Sequence, residues 1–189
     1  MSTPTVIPPP ILSVTSPTDI TTTCTTFSLS RSDFDLLHNS SKSAKSLSYS
    51  PYSHFRVGCA LLTHSGDIIV GANVENASYP VTTCAERTAL CKAVTTVFDN
   101  DVKWGGEGEQ QLRFKAVAVA TDISPPASPC GMCRQAIREF CDVEVPILMF
   151  DGGEGYSVLR LKDLLPLSFG PEALGVREMG RQQESKSSS

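Results

Sequence analysis

The residues able to carry chemistry in this sequence are few and closely spaced. Residues 82–89 read TTCAERTA, which puts Cys84, Glu86 and Arg87 within four positions. Residues 128–133 read SPCGMC, which puts Cys130 and Cys133 at C-x-x-C spacing where a helix should begin. Two thiols at that spacing can face one ion, and Zn2+ takes thiolate ligands readily. A redox C-x-x-C pair, or a structural zinc completed by a further ligand, has the same local spacing. The other thiols stand apart. Cys91 lies about two helical turns beyond Cys84, Cys141 at the far end of the Cys133 helix, Cys59 within a strand pattern and Cys24 in a polar stretch. None of the three histidines, His38, His54 or His64, sits in a paired-ligand context. Three protein ligands with a vacant fourth position describe a catalytic zinc rather than a closed structural one.

Glu86 strengthens the catalytic reading. Two residues from a ligand, it can reach a water at the fourth position without binding the ion, the placement of a general acid/base. Three thiolates around Zn2+ leave a net charge of −1, which weakens the metal as a Lewis acid. Helix N-termini aimed at the sulfurs would offset that charge. Arg87, through hydrogen bonds to thiolate, is the natural further contributor.

These groups need elements to hold them. Ser30 with Asp33 three residues on forms a capping-box pattern, and Leu29 with Phe34 a hydrophobic staple. The first helix then presents Phe34, Leu37, Ala44 and Leu47 on one face, with His38 on the surface. The runs 55–63 and 67–74 predict a β-hairpin turning at Gly66. A second helix is expected over about residues 84–98, capped by Thr82 or Thr83, with Ala85, Ala89, Leu90, Ala93, Val94 and Val97 towards the core. Residues 114–122 read as a central strand, and 128–141 as a third helix with Ser128 as cap and Pro129 first in the helix. Strands over 145–151 and 156–164 are separated by GGEG, too short for a parallel crossover, so they must run antiparallel. The expected fold class is α/β, a five-stranded mixed sheet with helices on both faces.

Composition sets the outer limits. The chain has 189 residues, 40% of them hydrophobic, with 16 basic and 20 acidic side chains and a net charge of −4. That balance argues against a general nucleic-acid binder, whose affinity would come from Lys and Arg on phosphates. No apolar run approaches the roughly 20 residues of a membrane span, and the N-terminus does not read as a signal peptide. Seven cysteines fit a reducing cytosol, where clustered thiols are ligands or catalysts more often than disulfides. Residues 1–28, rich in Ser, Thr and Pro, are expected to be a disordered extension. Residues 29–176 are expected to form the domain, 99–111 an exposed Gly-rich excursion, and 177–189 a polar disordered tail.

Glu86 and the cysteines together give C-x-E … P-C-x-x-C, the zinc deaminase pattern with Cys84 where His often stands. Four blocks extend the match: YSPYSHFRVGCALLT (49–63), GANVENASYPVTTCAERTALCKAV (71–94), SPCGMCRQAIREFC (128–141) and LLPLSFGPEAL (164–174). With them the chain resembles the small, free-nucleoside cytidine deaminases. That resemblance implies a three-layer α/β/α subunit, one Zn2+ on Cys84, Cys130 and Cys133, and Glu86 as proton shuttle. It implies that Asn73 and Glu75 bind ribose hydroxyls, that Phe55 packs on the pyrimidine, and that the backbone around Ala85 and Ser128 meets the base. It implies a homotetramer in which Tyr79 and Phe169 help form a neighbouring subunit's pocket. The implied reaction is hydrolytic deamination of cytidine and 2′-deoxycytidine, with neither nucleic acid nor membrane as partner.

Overall fold

The computed structural model describes residues 9–96 and 114–174. The capping box forms as expected: Asp33 N donates to Ser30 Oγ (3.0 Å) and Ser30 N to Asp33 Oδ2 (2.8 Å). It opens a helix, α2, over Arg31–Ala44 that buries Phe34, Leu37 and Ala44. Leu47 does not follow them. The helix gives way to a tight turn at Lys45–Leu47, which swings Leu47 out to 65% exposure.

The hairpin follows, with β2 at Val57–Thr63 and β3 at Ile68–Ala72, and Gly66 takes the turn's positive φ of 95°. Next come α3 (Ala85–Thr96), β4 (Phe114–Thr121), α4 (Gly131–Phe140), β5 (Pro146–Phe150) and β6 (Gly155–Arg160). β4 and β5 pair in parallel, with α4 as their crossover, whereas β5 and β6 pair antiparallel across their short turn. The strand expected over 156–164 ends at Arg160. A four-residue helix, α5 (Leu161–Leu164), takes over there, because Asp163 accepts from Arg160 N (3.0 Å) and both leucines bury.

The N-terminal segment departs furthest from expectation. Residues 1–28 were expected to be disordered, yet within 9–28 there is a two-residue strand, β1 (Leu12–Ser13), and an 11-residue helix, α1 (Pro17–Phe27). β1 pairs antiparallel with β6, so the sheet has six strands rather than five, in the order β1-β6-β5-β4-β2-β3. The cause is tertiary: Ile20 is buried among Phe34, Leu148, Phe150 and Tyr156, and Thr23 Oγ1 shares a buried 2.8 Å hydrogen bond with the Tyr156 hydroxyl. The expected excursion over 99–111, Val97 and the tail 177–189 lie outside the described residues.

Two cores sandwich the sheet. One joins α3, α4 and α5 to it through Leu90, Ile137, Val117, Ile147 and Leu161; the other joins α1 and α2. Gly71 lets α3 sit close on β3, since a Cβ there would lie 2.6 Å from the Ala85 carbonyl oxygen. The start of α3 is thereby fixed against the sheet.

Candidate zinc centre and substrate pocket

Cys84 stands immediately before α3, Cys130 is the N-cap residue of α4, and Cys133 lies in the first turn of α4. Ser128 and Pro129 were expected to cap and begin that helix. Extended backbone at Cys130 (φ −65°, ψ 165°) delays its start to Gly131, and Arg134 Nε donates instead to the Pro129 carbonyl (2.7 Å). The three Sγ atoms lie within 4.8 Å of one another. A tetrahedral zinc with Zn–S bonds of about 2.3 Å sets its sulfurs about 3.8 Å apart. The 3.9 Å between Cys84 and Cys130 Sγ matches that spacing, and an all-thiolate donor set suits zinc. Among the described residues no other His, Cys, Asp or Glu joins this cluster.

Glu86 is 3% exposed at the start of α3. Burial, more than any other influence, raises its carboxyl above the ordinary glutamate range, with the Cys84 charge adding to the effect. Arg87 Nη2 donates to the Thr82 carbonyl (2.9 Å) and lies 3.7 Å from Cys84 Sγ. The Cys133 thiol, then Arg87 and Cys130, stabilise the Cys84 thiolate against the opposing effect of burial and bring its pKa to about 5. Cys133, which shares its proton with Cys84, is raised. The two sulfurs nearest helix starts, Cys84 and Cys130, lie at the positive ends of α3 and α4.

The centre opens into a cleft of about 240 Å³ lined by Ser53, Phe55, Val57, Asn73, Glu75, Thr82, Cys84, Glu86, Val119, Thr121, Ala127, Ser128 and Cys130. Phe55, Asn73, Glu75, Glu86 and Ser128 were expected there. Ala85, Arg87 and Cys133 are not among its lining residues, nor are Tyr79 and Phe169, which are 64% and 60% exposed elsewhere on the surface. Val57, Val119 and Thr121 were not foreseen. They come from strand ends, where alternation gives which face a residue takes but not that a cavity meets it. The Thr121 hydroxyl is buried with no hydrogen-bond partner among the described residues.

Asn73 and Glu75 do more than line the cleft. Asn73 Oδ1 accepts from Ser48 Oγ (2.6 Å) and Val57 N (2.8 Å), while its Nδ2 donates to the Phe55 carbonyl (2.9 Å). Glu75 accepts from Tyr52 N (3.0 Å), Ser53 N (3.3 Å) and Ser53 Oγ. The Ser53 hydroxyl is the main reason its carboxyl titrates low. Together they fix the 48–57 segment that presents Phe55. On the opposite wall, Arg134 donates to Ser128 Oγ and to the Leu164 carbonyl (both 2.8 Å). Asp151 holds Ser124 of the same loop (2.9 Å).

An α/β/α layering with a three-cysteine centre at two helix starts, and a buried carboxylate beside it, defines a zinc-dependent hydrolytic enzyme. The family model described as "Cytidine and deoxycytidylate deaminase zinc-binding region" matches residues 31–149, and the chain belongs to that family. It is 41% identical over 142 residues to the cytidine deaminase of Sporosarcina psychrophila, covering 75% of this chain and 95% of that protein. It is 35% identical over 142 residues to the cytidine deaminase of Mycobacterium tuberculosis, covering 75% and 93%. Among solved structures, cytidine deaminase from Burkholderia pseudomallei superposes with a TM-score of 0.62 at 36% identity, covering 71% of this chain and 98% of that one.

Proposed function

We propose that this chain catalyses the hydrolytic deamination of free cytidine and 2′-deoxycytidine, giving the uracil nucleoside and ammonia, as a step of pyrimidine salvage. The observation that carries the reading is a buried Glu86 beside three clustered thiols at the end of a cleft of about 240 Å³. Cys84, Cys130 and Cys133 would hold one Zn2+, which supplies Lewis-acid activation of water. Glu86 takes a proton from the attacking water and delivers it to N3 as the C4–O bond forms. It then takes the remaining proton from the new C4 hydroxyl and passes it to the amine, and the C4–N4 bond breaks to release ammonia as the C4 carbonyl forms. Burial suits it to this work, because a carboxyl whose pKa is raised by desolvation takes up a proton more readily than an exposed glutamate.

Phe55 packs on the pyrimidine, and the backbone at Ala85 and Ser128 meets its polar edge. Asn73 and Glu75 bind the ribose hydroxyls with what their structural bonds leave over. An amide nitrogen carries two hydrogens and a carboxylate about four acceptor sites, so each retains capacity for a ligand. The lining holds two carboxylates and neither Lys nor Arg, which favours an uncharged nucleoside over a phosphorylated one. Arg87 offsets the excess negative charge of the thiolates. The assembly is a homotetramer in the cytosol, with Tyr79 and Phe169 completing a neighbouring subunit's pocket and residues 29–176 as the catalytic domain.

The test is zinc content together with cytidine-to-uridine conversion by the purified chain, with an oligonucleotide and 2′-deoxycytidine 5′-phosphate as control substrates. A folded, zinc-loaded sample that leaves cytidine untouched refutes the reading. Glu86→Ala should abolish turnover and keep zinc.

A further inference from the structure

α4 begins at the thiol centre, and one turn beyond Cys133 it grips the C-terminal segment. Arg138 is 7% exposed, a costly place for a cation unless its donors are met. That segment meets two of them: Nη2 pairs with Glu172 Oε2 (2.7 Å) and Nε donates to Ser168 Oγ (3.1 Å). Between those partners, Gln135 Nε2 donates to the Phe169 carbonyl (3.0 Å). Gly170 is seated so closely that a Cβ there would collide with the guanidinium of Arg138. Residues 168, 169, 170 and 172 are thus all engaged by one face of α4.

The outcome for Phe169 is unusual. Its backbone is pinned on both sides, yet its ring is 60% exposed and does not line this chain's own cleft. A ring that merely anchored the segment would be buried.

We propose that Arg138 is a positioning residue for the reaction: it fixes the backbone of Phe169 so that the ring projects from the subunit at a set distance from the zinc helix. This rests on the reading that Phe169 completes a neighbouring subunit's pocket. Arg138 neither lines the cleft nor belongs to the thiol cluster, so its loss alters how substrate is held and leaves the chemical step alone.

The experiment is a double-mutant cycle on the full-length, zinc-loaded enzyme, with Arg138→Gln, Phe169→Ala and the pair, measuring KM and kcat for cytidine. Arg138→Gln should raise KM by roughly fivefold or more, the scale of coupling between contacting groups, with kcat and zinc content near wild type. In the Phe169→Ala background the same substitution should add little. Glu172→Gln, a milder change at a 40% exposed side chain, should give the same pattern in weaker form if Arg138→Gln does not fold. Arg138→Lys should recover part of the loss, since it keeps the ion pair but not the second donor. If Phe169→Ala raises KM while Arg138→Gln or Glu172→Gln acts additively with it, the positioning role is overturned alone. If Phe169→Ala leaves KM unchanged, the underlying reading of Phe169 is overturned with it.

Discussion

Charge is the main problem at the residue scale. A centre of three thiolates carries one negative charge more than zinc neutralises, and a carboxyl group, Glu86, is buried beside it. Arg87 is a cation in contact with the centre, held between the Thr82 carbonyl on one side and Cys84 Sγ on the other. Its own Nε is buried without a partner among the described residues, so the guanidinium is kept there despite an unmet donor. Arg87→Gln should keep zinc and the fold while lowering kcat roughly 10–100-fold, the range typical of groups that tune a metal's ligands. An unchanged rate at full zinc occupancy would remove Arg87 from the mechanism. The cluster of three thiols and the place of Glu86 beside it were legible in the sequence because their pattern is local, two stretches of a few residues. The clamp made by Asn73 and Glu75 was not. Its partners, Ser48, Tyr52, Ser53, Phe55 and Val57, are brought to it only by the hairpin and the loop before it.

At the scale of elements, α1 and β1 show how composition can hide structure. The signals were present: Ser16 caps, Pro17 is first in the helix, Asp19 is in the first turn, and Ile20, Cys24 and Phe27 recur at helical spacing. They were outweighed by TTTCTT, since threonine is a weak helix former, and what overrides propensity here is burial against the sheet. The segment also closes an edge. β1 pairs with β6, the Pro10 carbonyl accepts from Ser157 Oγ (2.8 Å), and Arg160 stacks over the Phe27 ring at 5.1 Å. Unpaired edges invite pairing with other chains. Deleting residues 1–28 should therefore leave a protein that associates beyond the proposed tetramer in a concentration-dependent way by sedimentation, with a lower Tm. Zinc content per chain should persist, because α3 and α4, the helices at whose starts the thiols stand, pack in the core on the opposite face of the sheet. A deletion variant with unaltered sedimentation and Tm would show that the strap contributes nothing to either property.

For the whole molecule, the antiparallel end of the sheet was legible because a turn as short as that between β5 and β6 permits nothing else, whereas the role of His38 needed the packed fold. Its helical position suggested the surface. In the structure its ring stacks 4.8 Å from Phe150 and 6.4 Å from Phe34, with Nε2 buried and unpartnered among the described residues. Burial, then the charge of Lys42, lowers its pKa, with Asp35 opposing. The sign follows from linkage. With the folded pKa below the unfolded value of about 6.5, the unfolded chain binds the proton more tightly, so stability is complete above that pH and declines as pH falls towards the folded pKa. Asp33 and Asp122 titrate low despite the opposing effect of burial, Asp33 through Lys115 and Ser30 and Asp122 through Lys45 and Arg56. Their contributions are lost only as pH falls below about 4, the unfolded aspartate range. Acid destabilisation should therefore come in two stages, the first owed to His38. Thiolate protonation also releases zinc in acid, so zinc content must be followed at each pH. In samples that retain zinc, the Tm of the wild type should fall between pH 7 and 5, and His38→Leu should flatten that first decline while leaving the later one. Equal slopes in both proteins over that interval would assign the first stage to some other group.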